Sequence, residues 1–197
     1  MAFDGITIAA MVAELHLNLD GGRFNKIAQP EADELLITGK GANGQCRLLL
    51  SASASLPLIY FTSKNKPSPM TAPNFCMLLR KHIGNARILS VTQPNFERIV
   101  EMELEHLDEM GDLCRKKLIV EIMGKHSNII FTDADGTIID SIKHISHQVS
   151  SVREVLPGRA YVYPPAQEKE NPLDIDINYF MNHVLRKPVS VTKAIYT

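Results

Sequence analysis

At the start of the chain, the spacing of apolar residues predicts one helix followed by a small sheet. Asp4 is a suitable N-cap, and apolar residues then recur at helical spacing, namely Ile6, Ala9, Ala10, Ala13 and Leu17. Turn residues at positions 18–22 end this helix. Three or four short β-rich runs follow, each bounded by Pro, Gly, Asn or Ser: GRFNKIAQ, ELLITG, CRLLLSA and LIYFTS. Their short connections predict an antiparallel meander.

The middle of the chain predicts a second helix and two further strands. Thr71 and Pro73 open the helix, and Gly84 stops it. Its buried side is predicted to carry Phe75, Leu78, Leu79, His82 and Ile83. ARILSVTQ predicts one strand, and RIVEMELEH alternates strictly between apolar residues and glutamates. Such alternation is typical of a half-exposed strand in an antiparallel sheet.

The second half of the chain predicts two more helices separated by a linker. Residues 112–123 have the spacing of a helix, with one apolar stripe made of Cys114, Leu118 and Ile122. From about residue 150 the proline-rich run LPGRAYVYPPAQEKENP has no periodicity, which predicts a linker. Residues 174–187 predict a last helix.

The stretch IIFTDADGTIID contains Asp-x-Asp-Gly-Thr, which has the form of a phosphatase nucleophile motif. A phosphatase needs Asp133 at the carboxyl edge of a parallel strand, followed by strand–helix–strand units, and no such alternation follows Thr137. The β-rich runs SNIIFT and TIIDSI instead flank DADG, and an Asp-Gly turn between such runs is a strong hairpin signal. We therefore predict an antiparallel hairpin with residues 133–136 at its tip and with Ile129 and Ile130 opposite Ile138 and Ile139.

Composition places the chain among ordinary globular proteins, since 45% of its 197 residues are hydrophobic and 22% are charged. No apolar run approaches the roughly 20 residues that span a bilayer. The N-terminus contains acids but neither a basic lead-in nor a cleavage site, so no secretory signal is predicted. Three widely spaced cysteines argue against a disulfide framework and for a reducing compartment: Cys46, Cys76 and Cys114. We therefore expect a cytoplasmic protein.

Charge and histidine content change this picture little. The net charge is −1, and the basic runs LLRKHIGNAR and CRKKL fit either a solvated face or a local phosphate-binding patch. His144 and His147 lie three residues apart with His126 upstream, but a metal site needs a further ligand at defined spacing. The residues alone therefore predict an α+β domain with no catalytic site, no metal and no cofactor.

Four segments together resemble one protein family. They are MAFDGITI, QPNFERIV, LIVEIMGKHSNIIFTDADGTIIDSIKHIS and VREVLPGRAYVYPP. The combination is similar to the N-terminal part of the NFACT family, long labelled fibronectin-binding protein A, whose bacterial RqcH members act in ribosome quality control. The resemblance extends to about residue 172, and it implies that this chain is the first portion of a longer protein.

The resemblance implies a fold and a division into domains. Residues 1–170 would form an antiparallel β-sandwich with flanking helices, like the N-terminal domain of formamidopyrimidine-DNA glycosylase. Residues 171–197 would begin a helix-hairpin-helix region. That glycosylase attacks with a proline directly after the initiator Met, supported by a following Glu. Ala2 and Phe3 stand at those places and can neither form the imine nor supply a carboxylate, so glycosylase chemistry is not expected.

The resemblance also implies partners and binding residues. Family members sit on the large ribosomal subunit obstructed by peptidyl-tRNA and recruit alanyl-tRNA, so that the nascent chain gains an untemplated C-terminal tail. Two segments are implied in this binding, Glu97-Arg98 and Glu121-Ile122-Met123, and the family more usually has Asp at the place of Glu97. Periodicity alone leaves core packing open for Ile122 and Met123, and an ion pair at a strand start open for Glu97 and Arg98.

Three classes of function are therefore compared. The favoured one is a non-catalytic module that binds tRNA and the large ribosomal subunit, and in it we expect Arg98 to be solvent-accessible. The alternative is a fibronectin-binding adhesin, which the older family label suggests but which no secretion signal or repeat supports. The third class is a metal-dependent phosphatase. It requires Asp133 at the edge of a parallel strand, which is incompatible with the predicted antiparallel hairpin.

Overall fold

The structure is a computed structural model that describes residues 3–165 and 170–196. Contacts divide the chain into two units, Met1–Val162 and Tyr163–Thr197. The described part of the first unit forms α1 (Gly5–Leu19), β1 (Arg23–Glu31), β2 (Glu34–Gly41), β3 (Gly44–Ser51), β4 (Leu58–Phe61), α2 (Asn74–Ile83), β5 (Arg87–Thr92), β6 (Ile99–Leu107), β7 (Leu113–Glu121), β8 (Asn128–Asp133) and β9 (Ile138–Ser141). Ala2, at the place of the glycosylase nucleophile, lies outside the described residues, and Phe3 packs against the core.

The second unit contains short helical segments. They are α3 (Ile177–Tyr179), the π-helical turn Phe180–Val184 that continues it, and α4 (Val191–Tyr196). The helix predicted within residues 174–187 is therefore present, although it is shorter than predicted. The domain boundary at residue 170 and the helix-hairpin-helix assignment stay predictions. None of the described helices is long and apolar enough to cross a membrane.

The strands form one open antiparallel sheet in the order β4-β3-β2-β1-β5-β6-β7-β8-β9. Strands β1–β4 make one meander and β5–β9 a second, as their short connections require. The two meanders meet between β1 and β5, where one residue pair is in register, Arg23 with Arg87. The α+β class and the N-terminal meander are confirmed. The sheet is a single open one where the resemblance implies a sandwich.

The main core lies on one face of this sheet, against α1 and α2. Both meanders contribute to it, with Leu48 and Leu50 from β3 and Met102 and Leu104 from β6. The glutamates of β6 project from the opposite face, so the predicted alternation is confirmed, although Glu101 is buried there and Glu103 and Glu105 are only partly exposed. A smaller apolar cluster covers part of that opposite face and contains Ile99, Ile119, Ile130, Ile138 and Val155.

The sequence predicted the buried side of α2 correctly and that of α1 incorrectly. Asp4 caps α1 as predicted, with the Thr7 amide donating to Asp4 Oδ1 at 2.8 Å. The predicted stripe of α1 is wrong, because Ile6 and Leu17 are 60% and 72% exposed. The buried residues are instead Ile8, Leu15 and Leu19. Apolar residues surround α1, so spacing alone does not select its buried side. The amphipathic α2 buries Phe75, Leu79 and Ile83 as predicted, together with Cys76.

The helix predicted over residues 112–123 is wrong, because this segment is β7. Its residues 118–121 are all buried, since β6 and β8 flank the strand and apolar clusters cover both of its faces. Such a strand loses its alternation, and a continuous apolar run fits a helix equally well. Gly111, with a φ of 87°, belongs to the turn that connects β6 to β7.

The linker predicted from about residue 150 is wrong for its first part. Val155 pairs with Ile145, and Ala160 pairs with Thr137, through isolated antiparallel bridges. Val155 is also only 1% exposed and belongs to the smaller apolar cluster. The sequence does not reveal this docking, because single bridges produce no periodic pattern and the prolines and glycines of the segment are typical of a loop. We call residues 153–162 the strap.

Candidate functional site

The segment before β6 is a strained turn that α1 helps to hold. Asn95 and Phe96 have φ values of 48° and 58°, in the left-handed region that side chains rarely adopt. Gln93 Nε2 donates to the carbonyl oxygens of Gly5 and Glu97, each at 2.9 Å. Gly5 is required there, because a Cβ at this position would lie 2.6 Å from the Phe96 carbonyl oxygen. The start of α1 is thereby fixed against residues 93–97.

Arg98 follows this turn and is exposed, as predicted. Within the described part of the chain no carboxylate pairs with its guanidinium, which disfavours the alternative of an ion pair at the strand start. Glu97 beside it is half-buried. The Ile122 amide donates to the Arg98 carbonyl oxygen at 2.9 Å, so the two predicted binding segments lie next to each other.

Glu121 is buried and belongs to a polar cluster of three side chains. It is fully inaccessible, and it accepts from Arg153 Nη2 of the strap in a salt bridge. Tyr161 Oη donates to Glu121 Oε1 at 2.9 Å, and Arg153 Nη1 donates to the Val162 carbonyl oxygen at 2.7 Å. Burial, followed by the charge of Glu121, raises the pKa of Tyr161, so the phenol remains a donor. Glu121 has no surface for a ligand and instead ties the strap to the end of β7.

The next two residues of this predicted segment differ in exposure. Ile122 is 1% exposed and packs in the main core, which confirms the core-packing alternative for that residue. Met123 is half-buried, and its amide donates to Ser127 Oγ at 2.8 Å. The chain then turns through Gly124, whose φ is 57°, and presents Lys125 and His126 to solvent. Of the predicted segment only Met123 is therefore partly accessible, and it lies on the turn of residues 123–126.

Lys143 and Asn128 form hydrogen bonds that hold the chain directly after the turn of residues 123–126. Neither residue was predicted from the sequence to have this role. Lys143 Nζ donates to the carbonyl oxygens of Ala52 and Ser127. Burial lowers the pKa of Lys143. Asn128 Nδ2 donates to the Lys143 carbonyl oxygen at 2.9 Å, and its Oδ1 accepts from the Lys143 amide at 3.1 Å. Arg153 and Tyr161 were missed in the same way. All four lie in the two most distinctive sequence segments, EIMGKHSNII with its continuation and VREVLPGRAYVYPP.

The Asp-x-Asp-Gly-Thr stretch forms an antiparallel hairpin, which confirms that prediction. Asp133 ends β8, which pairs antiparallel with both β7 and β9. Asp133 Oδ1 accepts from the amides of Asp135 and Thr137 at 3.0 and 2.8 Å, and Gly136 has a φ of 83°. The tip is exposed at residues 134–135, while Asp133 is half-buried. The carboxylate therefore holds a turn and does not stand at the edge of a parallel strand.

The predicted register of this hairpin is wrong. Thr132 lies opposite Ile138, and Ile130 lies opposite Ser141. A β-bulge between Phe131 and Thr132 shifts the pairing, and a bulge inserts its extra residue without a signal in the sequence.

Two histidines of the predicted group, His144 and His147, lie near carboxylates. His144 Nε2 is 2.6 Å from Asp140 Oδ1, and His147 Nε2 is 3.9 Å from Glu154 Oε1. The described residues contain no group of His, Cys, Asp and Glu side chains that could hold a metal ion.

Comparison with known proteins decides the family. The family model for the NFACT N-terminal and middle domains matches residues 4–197. The chain belongs to the NFACT family. Among NFACT relatives, it is 42% identical over 187 residues to the Rqc2 homolog RqcH of Bacillus subtilis, covering 93% of this chain and 32% of that protein. It is 26% identical over 151 residues to human ribosome quality control complex subunit NEMF, covering 77% of this chain and 13% of NEMF.

Two solved structures of bacterial proteins have the same fold. The N-terminal domain of fibronectin-binding protein PavA from Streptococcus pneumoniae superposes with a TM-score of 0.89 at 33% identity, covering 99% of this chain and 78% of that one. The fibrinogen-binding protein of Staphylococcus aureus superposes with a TM-score of 0.87 at 33% identity, covering all of this chain and 69% of that one. The chain spans about a third of the length of the bacterial RqcH relatives, 32% in each case.

Proposed function

We propose that this chain is the tRNA- and large-subunit-binding module of a ribosome quality control factor. In the intact protein it recruits tRNA, alanyl-tRNA in particular, to a large subunit obstructed by peptidyl-tRNA, and so promotes C-terminal alanine tailing of the stalled chain. The names of the RqcH and NEMF relatives support the quality control role. The proposed setting is the cytoplasm, where such ribosomes occur.

The observation that carries the proposal is the exposed guanidinium of Arg98 beside the turn of residues 123–126. Arginine presents a rigid fork of donors that matches phosphates and base edges, and no acid among the described residues occupies this fork. Lys125 and His126 are exposed on the adjoining turn. A concentration of free donors and positive charge at one end of the sheet suits an RNA ligand.

Each residue of the two predicted segments receives a separate role. Arg98 contacts RNA, and Glu97 lies beside it on the strained turn. Met123 lines the edge of the contact surface. Glu121 and Ile122 are buried, so they act by holding the backbone of this surface in place.

We propose further that the chain performs no catalysis, and that the chemistry of tailing belongs to the ribosome. The hairpin geometry of Asp133 supports this proposal against the phosphatase interpretation. Incubating the intact protein with a generic phosphoester and magnesium tests it, and turnover that Asp133→Asn abolishes would contradict it. Asp133→Asn is expected to leave tRNA and ribosome binding intact, because Asn tolerates the same turn.

The central test replaces Arg98 in the intact protein. Arg98→Ala is expected to weaken tRNA recruitment to obstructed large subunits and to slow nascent-chain tailing. If one phosphate contact is lost, the log–log salt dependence of tRNA binding flattens by roughly 0.7–0.9. The free energy of unfolding should change by less than about 1 kcal/mol, since Arg98 is a surface residue.

The matched control is Arg159→Ala, which removes an arginine whose side chain is 65% exposed and lies 3.4 Å from Glu154. This variant should recruit tRNA at the parent level. An Arg98→Ala protein that recruits tRNA and extends chains at the parent rate would overturn the assignment of Arg98.

A second candidate function is fibronectin or fibrinogen binding, which the names of the solved relatives favour. Pull-down of the intact protein against purified ribosomes and against immobilised fibronectin separates the two functions. Capture by fibronectin alone would support the adhesin, and capture by large subunits alone would support the quality control module.

We also propose that the first unit resembles the N-terminal domain of formamidopyrimidine-DNA glycosylase in fold. This proposal is supported by the main core, which joins residues of both meanders with α1 and α2. Superposition of the two domains, strand by strand, tests it, and a different strand order in the glycosylase domain would refute it.

A further inference from the structure

Three basic residues lie side by side across the middle of the sheet. Arg23 of β1 is in register with Lys40 of β2 on one side and with Arg87 of β5 on the other. All three are exposed. Phe24 and Ile88, their neighbours along the strands, point into the main core, so Arg23 and Arg87 point away from it. We call Lys40, Arg23 and Arg87 the basic row.

The charge of the basic row is not neutralised. Like charges directly opposite each other destabilise a sheet, and their Cβ atoms are about 4.5–5.5 Å apart. None of the three cations forms an ion pair within the part of the chain that the structure describes. The acid in register with Arg87 is Glu105, and its carboxylate lies 3.9 Å from Arg115 Nε. In a chain of net charge −1, this arrangement indicates a surface prepared for an anion.

Two cavities flank the basic row. One has a volume of about 350 Å³, and its lining includes Arg23, Lys40, the acid Asp20 and the glycines of the adjoining turns. The other has a volume of about 430 Å³ and is lined by Arg23 and Arg87 together with His82 and His106. Because Arg23 lines both cavities, they and the basic row form one continuous surface.

The lining of the larger cavity includes three basic side chains, Arg23, Lys81 and Arg87, and one acid, Glu105. Burial lowers the pKa of His82, and the positive charges of Lys116 and Lys81 lower it further. The His106 Nε2 atom is buried and has no hydrogen-bond partner among the described residues. An anionic ligand in this cavity would offset the positive charges that lower the pKa of His82.

We propose that the basic row and its two cavities bind the phosphodiester backbone of an RNA strand. Adjacent strands are about 4.8 Å apart, so the basic row presents cations at intervals short enough to follow a chain of phosphates. The choice of RNA rests on the proposed function. The contact is additional to that function's site, because Arg98 lies at the other end of β6, about 23 Å from Glu105 at roughly 3.3 Å per residue.

The test removes two charges of the basic row in the intact protein. Arg23→Gln/Arg87→Gln is titrated with a fluorescent oligouridylate of about twelve nucleotides over a series of salt concentrations. The log–log salt slope should fall by roughly 1.4–1.8, and affinity should fall about tenfold or more at 0.1 M salt. The matched control is Lys64→Gln/Arg186→Gln, which removes two exposed charges elsewhere and should retain the parent slope.

Two further measurements make the outcome specific. Side-chain NMR signals of His82 and His106 in the parent protein should shift on addition of the oligouridylate. Polyglutamate of matched charge should bind more weakly than the oligouridylate. Equal binding of polyglutamate would indicate an acidic protein partner and would overturn the proposal.

The Arg98→Ala protein separates this inference from the proposed function. It should retain the contribution of the basic row to oligouridylate binding while losing tRNA recruitment. An Arg23→Gln/Arg87→Gln protein that binds oligouridylate with the parent affinity and slope overturns the inference, whatever the result for Arg98. Suppose that Arg23→Gln/Arg87→Gln weakens oligouridylate binding while Arg98→Ala still recruits tRNA at the parent level. The inference would then stand, and the proposed function of Arg98 would be removed.

Discussion

At the scale of the residue, the buried pair of Glu121 and Arg153 is the most consequential feature. The Glu121 side chain is 0% exposed and that of Arg153 is 14% exposed. A charge buried this deeply is tolerated only with its partner, so removal of one member costs more than removal of both. Glu121 therefore holds the strap to the end of β7, and in the proposed function it acts through that contact and not by touching a ligand.

Glu121→Gln should lower the free energy of unfolding by about 3–5 kcal/mol, because it leaves the Arg153 charge buried without a partner. Glu121→Gln/Arg153→Met should lose less than Glu121→Gln alone. Tyr161→Phe, which removes one hydrogen bond to the same carboxylate, should cost about 1 kcal/mol. Urea unfolding of the four proteins measures these differences. A double variant less stable than Glu121→Gln would contradict the account.

His82 should make stability fall in acid. Burial, with Lys116, Lys81 and His106 nearby and Glu109 opposing them, lowers the folded-state pKa of His82 below its ordinary 6.5. The unfolded chain then binds more protons than the folded chain between the two pKa values, so the free energy of unfolding decreases as the pH falls through 6.5. His82→Gln should flatten this decrease between pH 7 and the folded-state pKa.

The measurement for His82 is urea unfolding across that pH window. The control is His147→Gln, since the His147 side chain is 75% exposed. Equal pH dependence in the parent and His82→Gln proteins would show that burial of His82 has no energetic consequence.

At the scale of the element, α1 is fixed by its first turn as well as by its apolar side. Gly5 packs directly on Phe96, whose ring atom Cδ1 would lie 2.8 Å from an added Cβ. Helix propensity alone favours Ala over Gly by about 1 kcal/mol. The contact between Gly5 and Phe96 opposes this preference for Ala, because an added Cβ would push the backbone of the 93–97 turn, which leads into Arg98.

Gly5→Ala should therefore destabilise the protein, by about 1–3 kcal/mol, although it improves the local helix propensity. It should also weaken tRNA recruitment by the intact protein, because it displaces the turn that presents Arg98. The control Ala13→Gly, at an exposed position of the same helix, should cost about 0.5–1 kcal/mol and leave recruitment unchanged. Thermal unfolding and recruitment assays measure both effects, and a stabilised Gly5→Ala protein would refute the contact.

At the scale of the whole molecule, the chain consists of two units that divide after Val162. The strap belongs to the first unit, where backbone bridges and a buried salt bridge hold it. Exposed segments between units are the preferred sites of proteolysis, whereas docked segments resist it.

Limited proteolysis is predicted to cut first within AQEKENP, residues 166–172, of which 166–169 lie outside the described residues, because the strap is docked and should resist cleavage. Mass spectrometry of the early fragments locates the first cut. Glu121→Gln should expose the strap and add cuts near Arg153 and Arg159, which serves as an internal comparison. A first cut inside the strap of the parent protein would contradict its docking.

The sequence by itself determined the elements whose signals are local. Asp4 caps α1, Gly136 forms the tip of the hairpin, and alternation along β6 orients its glutamates, because each signal depends on residues only a few positions apart. The distinctive segments around Glu121 and the strap also determined the NFACT family.

Only the tertiary structure decided the features that depend on distant partners. It made residues 113–121 a central strand, because β6 and β8 pair with its two edges and apolar clusters cover both of its faces, which erases its periodicity. It paired Glu121 with Arg153 across 32 residues of sequence and turned a predicted linker into the strap. It also set Arg23 against Arg87 at the junction of the two meanders. These pairings depend on how the strands and the strap pack together in the folded chain, and no local pattern of residues records them.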